Sequence, residues 1–90
     1  MELEITNNSG VYVSEFEVNS DFNLHVERKD SGIIHLFQRT TSSGDYAVIK
    51  EFSQNDAKVI DIDITGVIYP KYIKLVSFSE ITFGEITSRE

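Results

Sequence analysis

Ninety residues, 40% of them apolar, with a net charge of −7, suit one domain spanning 1–90. The chain has no cysteine, so neither a disulfide framework nor a thiolate metal site can form. Its acid excess repels phosphate backbones and no basic patch offsets it, so nucleic acid is not an expected partner.

The opening stretch, MELEITNNSG, carries Glu2 and Glu4 where a secretory leader needs positive charge followed by an apolar run. No segment approaches the roughly 18–20 apolar residues that span a bilayer, so a soluble chain with no membrane partner is expected. Residues 1–8 read as an edge strand or as an arm ordered by a neighbour. After the turn signal Asn7–Gly10, VYVSEFEV is rich in β-branched and aromatic residues. FNLHVERK alternates Phe22, Leu24 and Val26 against Asn23, His25 and Glu27. IIHLFQRT follows the turn at Asp30–Gly32. DYAVIKEF follows the polar piece Thr41–Asp45, and in it Tyr46/Val48 and Ala47/Ile49 compete for the inner face. VIDIDIT is the cleanest half-buried strand, with Ile60, Ile62 and Ile64 against Asp61 and Asp63; a single helical turn is the competing reading for 54–60. KYIKLVSF sets Ile73 and Leu75 against Lys74, and ITFGEIT closes the chain.

Strands are therefore expected near 2–6, 11–18, 22–29, 33–40, 46–52, 58–64, 71–77 and 81–87, with turn clusters about every 8–12 residues. That spacing predicts an all-β fold: a single compact antiparallel β-sandwich, jelly-roll or Ig-like. Phe16, Val18, Leu24, Val26, Leu36, Ile60, Ile62, Ile73 and Leu75 are the expected filling between sheets about 10 Å apart. So many strands in so short a chain leave sheet edges with unpaired N–H and C=O groups. Such edges are either blunted by charge or used for pairing, with another protein or with a second copy.

Chemistry is sparse. A nucleophilic triad built on His25 or His35 needs a serine on a strained turn, and no G-x-S-x-G is present. Asp61 and Asp63 share one strand face and, with Asp56 or Glu80, offer oxygens suited to Ca²⁺. The EF-hand spacing is missing, and a solvated outer face accounts for them more simply. Phosphate-cradling glycine loops are absent. No enzymatic activity, catalytic residue, metal or cofactor is expected. The residues singled out for partner contact are Tyr12, Tyr69, Pro70 and Tyr72. Pro70 marks a strand start or edge, and the tyrosines suit protein contact or, as an alternative, a sugar-stacking platform in a carbohydrate-binding adhesive module.

Three phrases carry a resemblance. FEVNSDFNLHVER looks like an opening strand pair. SGIIHLFQRTTSSGDYAVIKEF is similar to a recurring pattern of Gly, an alternating strand ending Leu-x-Gln-Arg, a Ser/Thr/Gly turn, an aromatic and another strand. YPKYIKLVSFSEITFGEI resembles a closing hairpin. Together, from Phe16 to Ile86, they resemble small β-sandwich structural proteins of tailed-phage virions. Tyr46 stands where that family often has Trp, and Ser43–Gly44 where it has Gly-Gly. The resemblance implies a virion structural protein: an auxiliary, decorating capsid subunit on the capsid surface, made in the host cytoplasm. Its partners would be the major capsid protein or other virion proteins, in many copies. A tail, connector or head-fibre component is the alternative it implies.

Overall fold

A computed structural model describes residues 1–52, 58–67 and 71–88, with the backbone alone for 50–52. Eight strands run in chain order: β1 (Thr6–Asn8), β2 (Val11–Val18), β3 (Phe22–Arg28), β4 (Ile34–Arg39), β5 (Ala47–Phe52), β6 (Val59–Ile64), β7 (Lys71–Ser77) and β8 (Ile81–Ser88). Seven of them fall within a residue or two of where the alternation places them. Val59 and Ile60 are extended, not helical; 54–57 lie outside the described residues.

The strands form two sheets, ordered β1-β2-β7-β4-β5 and β6-β3-β8, and every pairing is antiparallel. The pairing is nested: β2 with β7, β3 with β6, β4 with β5. The chain start completes the series, because Glu2 bridges Glu85 of β8 and Leu3 N–H donates to the Gly84 carbonyl at 2.8 Å. First with last, second with seventh, third with sixth and fourth with fifth is a long hairpin rolled on itself, the jelly-roll winding. Of the two sandwich types expected, the Ig-like one is thereby set aside.

Period two decides which side chains face inward. Odd and even positions of a strand lie on opposite faces, so β3 turns Phe22, Leu24 and Val26 in and Asn23, His25 and Glu27 out. One cluster fills the space between the sheets: Leu3, Val18, Phe22, Leu24, Val26, Ile34, Leu36, Ile60, Ile73, Leu75, Ile81 and Ile86. Phe16 and Ile62, expected inside, pack against this cluster but keep part of their surface in solvent. Ile62 does so because β6 is an edge strand, and Phe16 because β2 loses its outer neighbour at that point. Phe16 still meets Phe22 edge to face, with centroids 5.9 Å apart.

The inner row of β3 ends on a charge. Arg28 keeps the parity of Phe22, Leu24 and Val26 and is 4% exposed. Its Nη1 donates to the Gly32 carbonyl at 3.0 Å and reaches Ser77 Oγ at 3.5 Å. Ser77 Oγ in turn donates to the Ser79 carbonyl at 2.8 Å, and the Asp30 N–H donates to Ser79 Oγ at 3.0 Å. One end of the sandwich is thus closed by a polar plug.

A bulge settles the ambiguity in β5. Leu36 pairs with Lys50 but Phe37 pairs with Val48, so Ile49 is the extra residue. Ile49 packs on the core, while Val48 stays outside at 51% exposed. Neither simple alternation describes the strand, because the bulge changes parity within it.

At the start of the chain, the expected strand over 2–6 is divided between the sheets. Residues 1–3 lie along β8, and 6–8 form a hairpin with β2 through a turn at Ser9 (φ 54°) and Gly10 (φ 89°). Two consecutive positive φ values match the right-handed strand twist of a two-residue hairpin. The Asn7 side chain supports the turn by accepting from the Gly10 N–H at 2.9 Å. The crossing works because Leu3 enters the core over Gly84, where a Cβ would stand 3.2 Å from Leu3 Cδ1.

Candidate functional site

The two outer faces differ in chemistry. On the three-stranded sheet, β3 presents Asn23, His25 and Glu27. Cross-strand register sets Asp63, Asp61 and Val59 of β6 against them on one side, and Thr87, Glu85 and Phe83 of β8 on the other. His25 hydrogen-bonds Asp61 Oδ2 through Nδ1 and Glu27 Oε2 through Nε2, both at 2.9 Å. Asn23 Nδ2 donates to Asp61 Oδ1 at 2.6 Å and to Asp63 Oδ1 at 3.2 Å. An acid at each ring nitrogen favours the doubly protonated imidazolium, so the pKa of His25 is raised, first by the Glu27 hydrogen bond and then by that of Asp61. Asp61 is held below the usual carboxylate range, chiefly by the Asn23 amide and then by His25.

The cluster is arranged as a hydrogen-bonded ladder. Asp61 and Glu27 bracket the imidazole at its two nitrogens, and among the described residues no group of three His, Asp or Glu could hold an ion. Asp56 lies outside the described residues. The cluster is an exposed polar ladder tying β3 to β6.

It has a pH signature. A histidine whose folded pKa exceeds its ordinary 6.5 stabilises the fold fully below that pH and loses the contribution as pH rises through the folded value. Asp61, lowered from 3.8, contributes above that pH and loses the contribution as pH falls through its folded value. Both act together between about pH 4 and 6.5. In thermal melts from pH 4 to 9, the wild type is expected to lose stability on the alkaline side through a step that His25→Gln lacks. Equal alkaline slopes in the two proteins would remove His25 as the origin.

The outer face of the five-stranded sheet carries an apolar and aromatic strip over β4 and β7. β4 turns His35, Phe37 and Arg39 outward, because Ile34, Leu36 and Gln38 share the inner parity. Register places Val76 beside His35 and Lys74 beside Phe37 from β7, Val13 beyond Val76 from β2, and Val48 beyond Phe37 from β5. Three rings stand in a row. His35 meets Phe37 at 5.8 Å and Phe78, in the turn after β7, at 6.3 Å, both edge to face. Phe78 is 53% exposed. At the far end of the row, the Arg39 guanidinium lies 4.5 Å over the Tyr46 ring and 5.6 Å from the Tyr72 ring, and Lys74 Nζ lies 5.5 Å over Tyr46. Arg39 Nη1 also donates to the Gly44 carbonyl at 2.8 Å, and Thr41 Oγ1 accepts from the Gly44 N–H at 2.9 Å, which pins the 40–45 loop to the sheet. The face is therefore a hydrophobic strip ending in cations braced on aromatics.

Of the residues expected to contact partners, Tyr12 and Tyr72 lie on opposite faces of the larger sheet. Tyr12 points inward from β2, opposite buried Ser77, and packs against the core. Tyr72 points outward from β7 into the Arg39 group. Tyr69 and Pro70 lie outside the described residues.

Reading the sequence for tyrosines overlooked Phe37, Val48, Val76 and Phe78. The signal was present in IIHLFQRT, whose odd and even positions are both apolar, so one set had to face out. Neither family models, nor curated proteins, nor solved structures gave a match to this chain.

Proposed function

We propose that the chain is a virion structural protein: an auxiliary subunit that binds the assembled head of a tailed phage and coats or reinforces it, with no catalytic step. The observation that carries the docking part is the strip Phe78–His35–Phe37 with Val48 and Val76 on the outer face of the large sheet. Contiguous apolar surface of this kind, rimmed by charge, marks protein contact surfaces. Arg39 and Lys74 beside it suit an acidic rim on the partner. The phage part is supported by the resemblance of the hairpin phrases between Phe16 and Ile86, and by analogy with the jelly-roll domains common in viral shells. A small interface per copy suffices on a lattice, since repeated neighbours raise the effective affinity without new contacts.

Heads of the phage that encodes the chain, assembled without it, provide the test. The wild-type protein is expected to sediment with them and to saturate at hundreds of copies. Saturation at six, twelve or a few tens would instead indicate the tail, connector or fibre alternative. Phe37→Ser combined with Phe78→Ser is expected to weaken binding more than tenfold, as loss of two central aromatic anchors does. Wild-type protein that stays in the supernatant at every concentration ends the head-binding reading.

A further inference from the structure

The N-terminal strand abandons β2 halfway along its length, and we propose that the edge it vacates, Ser14–Val18, accepts an extended Lys- or Arg-bearing segment of a partner protein as an added strand. This edge adjoins the end of the aromatic strip, with Glu15 opposite Lys74, but the inference does not depend on the virion reading.

The departure buries Leu3 in the core and separates Glu4 from Glu15, while Glu2 comes to lie opposite Glu85 on β8. The hairpin register pairs Thr6 with Val13 and Asn8 with Val11. Continued in the same register, it would set Glu4 opposite Glu15 and Glu2 opposite Glu17, and like charges directly opposite destabilise a strand pair. The chain instead crosses to β8, and no strand among the described residues pairs with that side of Ser14–Val18. The other side is fully used, from Ser14 opposite Leu75 to Val18 opposite Lys71.

What is left is a groove of about 360 Å³ between residues 1–4 and residues 14–17. A hollow of about 270 Å³ lies beside it, sharing Glu4 and Glu15 in its walls. Four glutamates line these spaces, and none has an ion-pair partner among the described residues. A second observation is independent of the charges. Ser14 lines the groove, is 2% exposed, and its hydroxyl has no hydrogen-bond partner among the described residues. A buried hydroxyl without a partner is costly in a finished core and understandable where a neighbouring strand is missing.

The backbone parity fits an incoming strand. In a two-residue hairpin the residues flanking the turn exchange both hydrogen bonds, and the pattern repeats every second residue. Val11 and Val13 thus direct their N–H and C=O groups toward β1, and Glu15 and Glu17 direct theirs toward the vacated side. An added strand would bond to those two residues, place cations against their outward carboxylates, and set an apolar side chain between them over half-exposed Phe16. The segment recognised is cation–apolar–cation. A second copy of this chain is a poor occupant, because pairing β2 with β2 would again bring acid against acid.

The probe is a fluorescent eight-residue peptide alternating Lys and Val, with an alternating Glu and Val peptide as control. The Lys peptide is expected to bind at low salt, to weaken as salt rises, and to slow hydrogen exchange at the Glu15 and Glu17 amides specifically. Glu15→Gln with Glu17→Gln, an exposed and isosteric change checked for folding by circular dichroism, is expected to weaken binding about threefold to tenfold. Methylating the backbone nitrogens of the probe on its pairing side is expected to abolish the amide protection. Binding without protection at Glu15 and Glu17, equal binding to the double Gln variant, or no binding up to millimolar peptide would overturn the inference. Head binding is tested separately, by Phe37→Ser with Phe78→Ser, so the failure of either reading leaves the other standing.

Discussion

Leu36→Asp is expected to abolish cooperative unfolding. Leu36 has no exposed surface, and it stands on the inner row of β4 directly opposite Leu75 of β7, which is equally buried. Leu75 is paired on its other side with Ser14, so the substituted carboxylate would sit in the middle of the larger sheet's inner face. The hydrophobic cluster packed around it supplies no counter-charge, and the side chain of its β5 partner Lys50 lies outside the described residues. An unpaired buried carboxylate costs several kcal/mol, against a total margin of about 5 kcal/mol for a chain this small. Urea titration followed by circular dichroism should show a sloping baseline in place of a transition. Ile62→Asp provides the internal contrast. Ile62 lies opposite Leu24 on the edge strand β6 and is only partly buried, so its carboxylate can turn to water. A transition shifted to lower urea but still cooperative is expected there. If Leu36→Asp unfolds cooperatively near the wild-type midpoint, Leu36 does not face the other sheet.

Arg28→Ala carries the second-largest expected effect, about 3 kcal/mol, from the loss of hydrogen bonds made by a charged donor together with the packing of its aliphatic stem. The guanidinium is inside the end of the sandwich, holding the Gly32 carbonyl and touching Ser77, while Ser77 and Ser79 hold each other. Its own backbone N–H donates to Lys58 at 2.9 Å, so the 58–59 approach to β6 and the 30–32 turn meet at this residue. Removing the head group takes the donor from the Gly32 carbonyl, while Ser77 Oγ still accepts from the Ser79 N–H at 3.2 Å. Arg28→Met separates the two causes, since it keeps most of the stem and none of the donors. If Met recovers nearly all the stability lost with Ala, packing and not hydrogen bonding is what Arg28 contributes. Both variants are measured by urea midpoint, with the slope checked for a change in the surface exposed on unfolding.

The two outward surfaces make different demands on the fold. The aromatic strip needs only that the large sheet be rigid, which its central strands β7 and β4 ensure by being paired on both sides. The vacated β2 edge needs the chain start to be held elsewhere. That hold comes from the burial of Leu3 over Gly84 and the main-chain bonds to β8.

Much of this was legible in the residues. Alternation in FNLHVERK and VIDIDIT places Leu24, Val26 and Ile60 inside and His25 and Asp61 outside, because a strand has only two faces and one of them must be dry. Turn residues at 7–10 and 41–45 mark where the chain reverses, since each supplies a conformation or a side-chain acceptor the backbone needs there. That much is local physics, readable from neighbours in sequence. The nested winding, the bulge that turns Ile49 inward, and Arg28 as the closing plug were decided by the tertiary structure. So were the crossing of residues 1–3 from β2 to β8 and the row of Phe78, His35 and Phe37. Each depends on which strand lies beside which, and alternation is blind to that: it assigns every side chain to a face and leaves the neighbour on that face to be chosen by packing and charge across the whole chain.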